Sequence, residues 1–196
     1  QMCIRDRTYL DEDQPEEPRL FAVSCGIGFD AAVCAEAMSS RIKDTMNRIG
    51  LGKLTYLGIA LKQLITARKV SCTLTLEDTV HDKKESVELP RFLFVTCMSH
   101  RYEGGGFMFC PPAVDHDGVL DLCSVGNISK GLVLLALPTA FFGKHYFVKG
   151  INAHTATQMS ITASAPLWVH TDGEVTRKSR GFRVECLPGA IRMITP

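Results

Sequence analysis

The stretch MSITASAPLWVHTDGE, residues 159–174, decides the fold. Met159, Ile161 and Ala163 alternate with Ser160, Thr162 and Ser164. Apolar side chains at every second position let a strand bury one face and wet the other. The same period returns downstream, where Phe182, Val184 and Cys186 alternate with Arg183 and Glu185. It also appears upstream, where Cys72, Leu74 and Leu76 alternate with Thr73, Thr75 and Glu77. Residues 92–98 are apolar throughout, as in a strand covered on both faces. Shorter strands are expected over 19–25, 119–125 and 191–194.

Between these strands the period lengthens. Met38, Ile42, Met46 and Ile49 share one helical face up to Gly50. Leu54, Leu57, Leu61 and Leu64 share another, and Arg68 and Lys69 close it with the charge a helix C-terminus favours. Residues 131–142 read as a buried helix. Trp168, Phe141, Phe142, Tyr146 and Phe147 are assigned to the core, with a lipid-facing role as the alternative for Tyr146 or Phe147. The fold class is therefore α+β: a β-sandwich-like or barrel-like body with helices inserted near its start and middle.

Composition narrows the classes of function. A chain of 196 residues with 45% apolar and 22% charged side chains can bury a core and is not globally disordered. Its net charge of +1 carries no signal for nucleic acid. Residues 1–18, with the acidic run at 11–18, read as a tag-like or linker segment, leaving 19–196 as the folded domain. Residues 39–70 hold Arg41, Lys43, Arg48, Lys53, Lys62, Arg68 and Lys69 against Asp44 alone, which suits either a solvated helix surface or an anionic lipid face. The eight cysteines form no Cys-x-x-Cys pair and mostly sit in apolar runs, as buried thiols of a cytoplasmic protein do. The apolar run 131–143 contains Pro138 and is too short to span a bilayer. His81, His100, His145, His154 and His170 lack zinc-site spacing and are read as structural or surface residues.

Three glycine-bearing clusters remain: GIGFDAAV at 26–33, GGGFMFCPPAVDHDGVLDL at 104–122, and HTDGE at 170–174. Singly, each has an ordinary explanation. Asp-Gly is above all a hairpin-turn signal, and Gly104-Gly105-Gly106 leads into no helix that would make it a phosphate loop. Together, in this order, they resemble the diacylglycerol kinase and sphingosine kinase-like lipid kinases over residues 19–196. The matching segments are Gly28 to Val33, Gly104 to Gly106, Pro112 to Ala113, Asp117 to Asp121 and Asp172 to Glu174. Val23 and Ser99 stand where many members of that family carry Asn.

The resemblance implies the C-terminal portion of a two-domain bacterial lipid kinase. The family's Gly-Gly-Asp-Gly-Thr nucleotide loop, and the N-terminal α/β domain that bears it, are expected to be missing from this chain. It further implies ATP as phosphoryl donor, Mg²⁺, a diacylglycerol-like lipid acceptor and a peripheral place at the membrane in the cytoplasm, with no nucleic acid partner. By resemblance, Glu174 takes the proton of the attacking hydroxyl and Asp172 orients it or binds metal through water. Extended backbone over 170–175 would point both carboxylates to one side. Asp117, with the carbonyls of Val114 and Val119, corresponds to the family's Mg²⁺ loop, where oxygen-only ligation suits a hard cation. Two other readings stand beside this one: a non-catalytic lipid- or membrane-binding module, and a kinase of a soluble cofactor akin to NAD kinases.

Overall fold

The computed structural model describes residues 6–10, 18–39, 52–68, 70–103 and 106–190. The strand expected at 191–194, Gly104, Gly105 and the helical positions Ile42, Met46 and Ile49 lie outside them, as do the side chains of Leu54 and Leu57. The elements in chain order are β1 (Asp6–Leu10), β2 (Arg19–Phe21), β3 (Ser24–Gly28), α1 (Phe29–Ser39), α2 (Gly52–Thr66), β4 (Val70–Asp78), β5 (Lys83–Met98) and β6 (Leu120–Gly126). After them come α3 (Lys130–Ala136), two 3₁₀ turns (Leu137–Phe142 and His145–Phe147), β7 (Ile151–Ala156), β8 (Gln158–Thr171) and β9 (Glu174–Glu185).

Every strand pairing is antiparallel, and two long strands hold the body together. The first part of β5 pairs with β4, and its last residues pair with β3 and β6. Likewise β8 pairs with β4 through Gln158 to Ala163 and with β3 through Val169 to Thr171. One layer therefore runs β7-β6-β5-β3-β8-β9, and the other β5-β4-β8-β9-β1-β2. Each long strand changes partners near a proline. Pro90 lies at the register shift between β4 and β5, and Pro166 lies within the shift between β8 and β9. A residue without an N–H is tolerated there because a bulge has no ladder bond to lose.

The alternating side chains meet between the layers. Cys25, Ile27, Val95 and Leu122 face Leu74, Met159, Ile161 and Phe182 in one apolar cluster. All three alternating strands read from the sequence turn the expected faces inward, with Cys186 only partly buried, and residues 92–98 are buried on both faces. A second cluster covers the outer face of the first layer, where Phe94, Met98, Cys123 and Val125 lie beneath Phe29 of α1, Leu64 of α2 and Val133 of α3. Cys25, Cys72, Cys97, Cys110 and Cys123 are buried. Among the described residues no helix is long and apolar enough to cross a membrane.

Two expectations need correction. Residues 131–142 are not one buried helix. The α-helix ends at Ala136, a 3₁₀ turn with Pro138 in its first positions follows, and only Val133, Ala136 and Ala140 of the pair are buried. Proline removes a helix donor and crowds the preceding turn, so the α-helical register stops there. The aromatics assigned to the core also divide: Phe142 and Phe147 are 74% and 88% exposed, while Tyr146 is half-buried and Trp168 lies under the Lys178 ammonium. In addition, five residues of the segment set apart at 1–18 form β1, which pairs with the outer edge of β9. Backbone pairing to an open edge requires no side-chain period, so composition gave no sign of it.

Candidate active site

The end of the first layer gathers the sequence-marked residues. Asp172 and Gly173 form the two-residue turn between β8 and β9, with φ of 50° and 79°. Both angles are left-handed, as a tight hairpin with the right-handed twist of its strands demands. The extended geometry expected over 170–175 is thus replaced by a turn, and strand alternation does not align Asp172 with Glu174. The turn's own requirement for positive φ outweighs the strand pattern on either side.

What fixes this turn is the loop between β2 and β3. The backbone N–H groups of Ala22, Val23 and Ser24 donate to the Asp172 carboxylate at 2.9, 2.8 and 3.0 Å. In return the Asp172 N–H donates to the Ser24 carbonyl at 2.8 Å. Charge-assisted bonds of this kind are the strong ones, and they commit both carboxylate oxygens. Glu174, the first residue of β9, remains 72% exposed, with an Arg19 guanidinium nitrogen 3.2 Å from its carboxylate. An ion pair this open to water contributes little stability and exchanges readily. The turn thus holds one acid tightly and presents the next at an open rim.

Behind the turn lies a buried polar cluster that sequence reasoning did not assemble. His170, Gly26, Thr96 and Cys123 form one cross-strand row over β8, β3, β5 and β6. Because Gly26 has no side chain, Asp30 in the first turn of α1 reaches across it. A methyl there would stand 2.0 Å from Asp30 Oδ2 and 2.6 Å from His170 Nε2. His170 is fully buried, with Nε2 3.2 Å from Asp30 and 3.7 Å from Glu103. Glu103 accepts from Ser24 Oγ and Thr96 Oγ1. Burial pulls the His170 pKa down, but the Asp30 carboxylate, with Glu103 and Asp172 beyond it, more than offsets this and the net direction is up. Burial also pushes the Glu103 carboxyl up, with the neighbouring His170 opposing. Gly173 N–H donates to His170 Nδ1 at 3.3 Å, a bond that only the neutral imidazole can accept. One signal for this cluster was on the page: a glycine inside a strand marks a close approach.

The second marked loop is simpler. Asp117 accepts one local bond, from Val119 N–H at 3.1 Å, and Gly118 takes φ of 83°. Asp121, at the start of β6, is buried, and burial together with the Asp117 charge pushes its pKa up to about 6. Asp121 pairs with Met98 and Met98 with Ser24. Asp121 and Ser24 are thus two strand spacings, about 10 Å, apart along that row, and the Asp117 loop and the Asp172 clamp share one end of the layer. Val114 lines an open pocket of about 340 Å³ with His100, Arg101, Tyr102 and Asp115. Among the described residues no three His, Cys, Asp or Glu side chains gather as a metal centre. Val23 and Ser99, the two departures from Asn, are neighbours: Ser99 N–H donates to the Val23 carbonyl at 3.1 Å.

The chain is similar to several known proteins. Residues 23–195 match the family described as the YegS C-terminal NAD kinase beta sandwich-like domain. The protein named Probable lipid kinase YegS-like from Xanthomonas campestris pv. campestris (strain 8004) is 30% identical over 148 residues, 74% of this chain and 45% of its own length. Its namesake from Xanthomonas euvesicatoria pv. vesicatoria (strain 85-10) is 35% identical over 98 residues, 49% of this chain and 31% of its own. The Diacylglycerol kinase of Mycobacterium tuberculosis (strain ATCC 25618 / H37Rv) is 25% identical over 166 residues, 84% of this chain and 51% of its own. The chain thus spans about half the length, or less, of these curated relatives. A crystal structure of a diacylglycerol kinase from Bacillus anthracis str. Sterne shares the fold over 94% of this chain and 51% of that one, with a TM-score of 0.52 at 16% identity.

Proposed function

The chain belongs to the family of YegS C-terminal, NAD kinase-like β-sandwich domains, and from that premise we propose that it is the acceptor-side portion of an ATP-dependent lipid kinase. The reaction transfers the γ-phosphoryl group to a lipid hydroxyl such as that of diacylglycerol. The observation that carries this reading is the clamp of Asp172 by three backbone amides, which sets Glu174 at an accessible rim without tying it down.

In this reading Glu174 accepts the proton of the lipid hydroxyl as the oxygen attacks phosphorus. Asp172 is a positioning residue: its oxygens are committed to Ala22, Val23 and Ser24, so it fixes the turn rather than taking the proton. Arg19, 3.2 Å from Glu174, orients that carboxylate until a substrate displaces it. The Gly-Gly-Asp-Gly-Thr loop of the resemblance does not occur in these 196 residues, and no residue of this chain is assigned to donor binding.

A Mg²⁺ ion fits the donor chemistry of the second loop. Asp117 has acceptor capacity beyond its single local bond, and the buried Asp121 beside it would be relieved by a nearby cation. Asp117, with the carbonyl oxygens of Val114 and Val119, would hold the ion. When bound, Mg²⁺ supplies positive charge that fixes the loop and balances the acids around it. The deciding assay joins this chain to the portion of a relative that it does not cover and follows phosphate transfer from ATP to diacylglycerol in mixed micelles. Glu174→Gln should lower turnover by ~10²–10⁴-fold with the melting curve unchanged. A variant retaining most of its kcat would remove Glu174 from the mechanism.

A further inference from the structure

The surface around α3 is built in a way that neither the sandwich nor the proposed chemistry requires. Leu132 and Leu135 of α3 are 42% and 72% exposed, and Phe142 and Phe147 of the following 3₁₀ turns are 74% and 88% exposed. Solitary exposed apolar residues are ordinary, but a run of large ones on adjoining elements marks an interaction face. These residues do not sit on a loose loop. Ser129 caps α3, Met108 N–H donates to the Ala140 carbonyl at 2.9 Å, and Phe141 stacks on Phe107 at 4.2 Å. Tyr146 Oη donates to the Phe109 carbonyl at 2.6 Å. The backbone is held so that the apolar side chains point away from it.

Charge identifies the partner. Between Asp121 and Asp172 the sequence contains no acidic residue, although the chain has 21 in all. The bases of that interval, Lys130, Lys144 and Lys149, flank the exposed apolar side chains. Lys130 Nζ also caps the Ile65 carbonyl at the end of α2, which brings the 66%-exposed Ile65 to the same border. Residues 130–149, which form this face, carry three lysines and no acid, and a bilayer with anionic headgroups repels carboxylates and attracts lysines. We propose that the α3 segment and its two 3₁₀ turns dock on an anionic lipid bilayer, with Leu135, Phe142 and Phe147 entering the acyl boundary and the lysines at headgroup level. The proposal takes the nature of the surface from the lipid-kinase reading and specifies which face of the domain meets it.

The test is sedimentation of the chain with vesicles of phosphatidylcholine alone and of equimolar phosphatidylcholine and phosphatidylglycerol. Binding should occur on the anionic vesicles and weaken as salt is raised. Phe142→Asp combined with Phe147→Asp should reduce partitioning at least ~10-fold, since each aromatic lost removes a large apolar contribution. Both positions are exposed, so the double variant should keep its melting temperature. Brominated acyl chains should quench a Phe147→Trp residue beyond any quenching of Trp168 in the unaltered chain. Equal binding by the double variant, or no binding by the unaltered chain, overturns the proposal. So does a dimer in sedimentation velocity that the double variant abolishes, which would give the face to a second copy. Vesicle binding needs neither nucleotide nor turnover, so its failure would leave the kinase assay and its conclusion standing.

Discussion

The molecule contains two Asp-Gly pairs among its marked residues, and they are put to opposite uses. At 172–173 the aspartate lies in the left-handed region and its carboxylate receives three amides some 150 positions away in the chain. At 117–118 the glycine takes the left-handed angle, and the aspartate accepts a single bond from a residue two positions on. The first carboxylate is saturated by the fold and the second keeps open lone pairs. The dipeptide specifies a reversal of the chain and nothing more. Whether its acid is a structural clamp or keeps free acceptor capacity, as the proposed cation seat requires, depends on what the rest of the structure donates to it.

The largest expected effect tests the clamp. Asp172→Ala would leave the amides of Ala22, Val23 and Ser24 without their acceptor, and a buried or half-buried donor without a partner is costly. A loss of about 2 kcal/mol is expected by urea denaturation, taken at the lower end because the turn faces solvent. If this variant is as stable as the unaltered chain, the two aspartates do not differ in the way described. Asp117→Ala should cost under about 0.5 kcal/mol in metal-free buffer, as surface changes away from tertiary contacts do. In excess Mg²⁺ the unaltered chain should gain stability that Asp117→Ala lacks, because an ion that binds only the folded state stabilises it. Identical melts with and without Mg²⁺ in both proteins would count against the cation seat.

The smallest effect is on a slope. His170 has its pKa raised in the folded state, so the stability it contributes is complete below its unfolded value of 6.5 and is lost as pH rises through the folded value. The denaturation free energy should therefore fall as pH rises from 6.5. Asp30→Asn removes the main partner that raises the imidazole and should flatten that fall. Asp117 instead helps raise Asp121, which titrates near 6, so Asp117→Ala should alter the slope below about pH 6.5 and leave the fall above it unchanged. An unchanged slope in Asp30→Asn would mean that Asp30 is not what raises the imidazole.

The sequence was most informative where geometry follows from neighbours in the chain. Alternation located β4, β8 and β9, and the unbroken apolar run of β5 foretold burial on both faces, because a strand's period is a local property. The site was legible as a set of residues but not as an arrangement. Asp30, Glu103 and His170 meet across as many as 140 positions, and their only local sign is a glycine at position 26 whose missing side chain makes room. The run 131–142 was misread because apolar content alone does not separate a buried helix from an exposed apolar one. The departures at Val23 and Ser99 looked independent in the sequence, yet they share a hydrogen bond beside the clamp.

The sharing of β5 and β8 between layers also sets the order in which a newly made chain can become whole. Strand β3 closes on β5 some seventy positions later and on β8 some 140 later, so neither layer can be completed early. Contacts this distant in sequence slow folding, since the loop between them must be closed before any reward arrives. The bonds from Ala22, Val23 and Ser24 to Asp172 are among the most distant of all. On a ribosome the acidic rim can form only after residue 172 has emerged. A partly synthesised chain therefore carries no working half of the site.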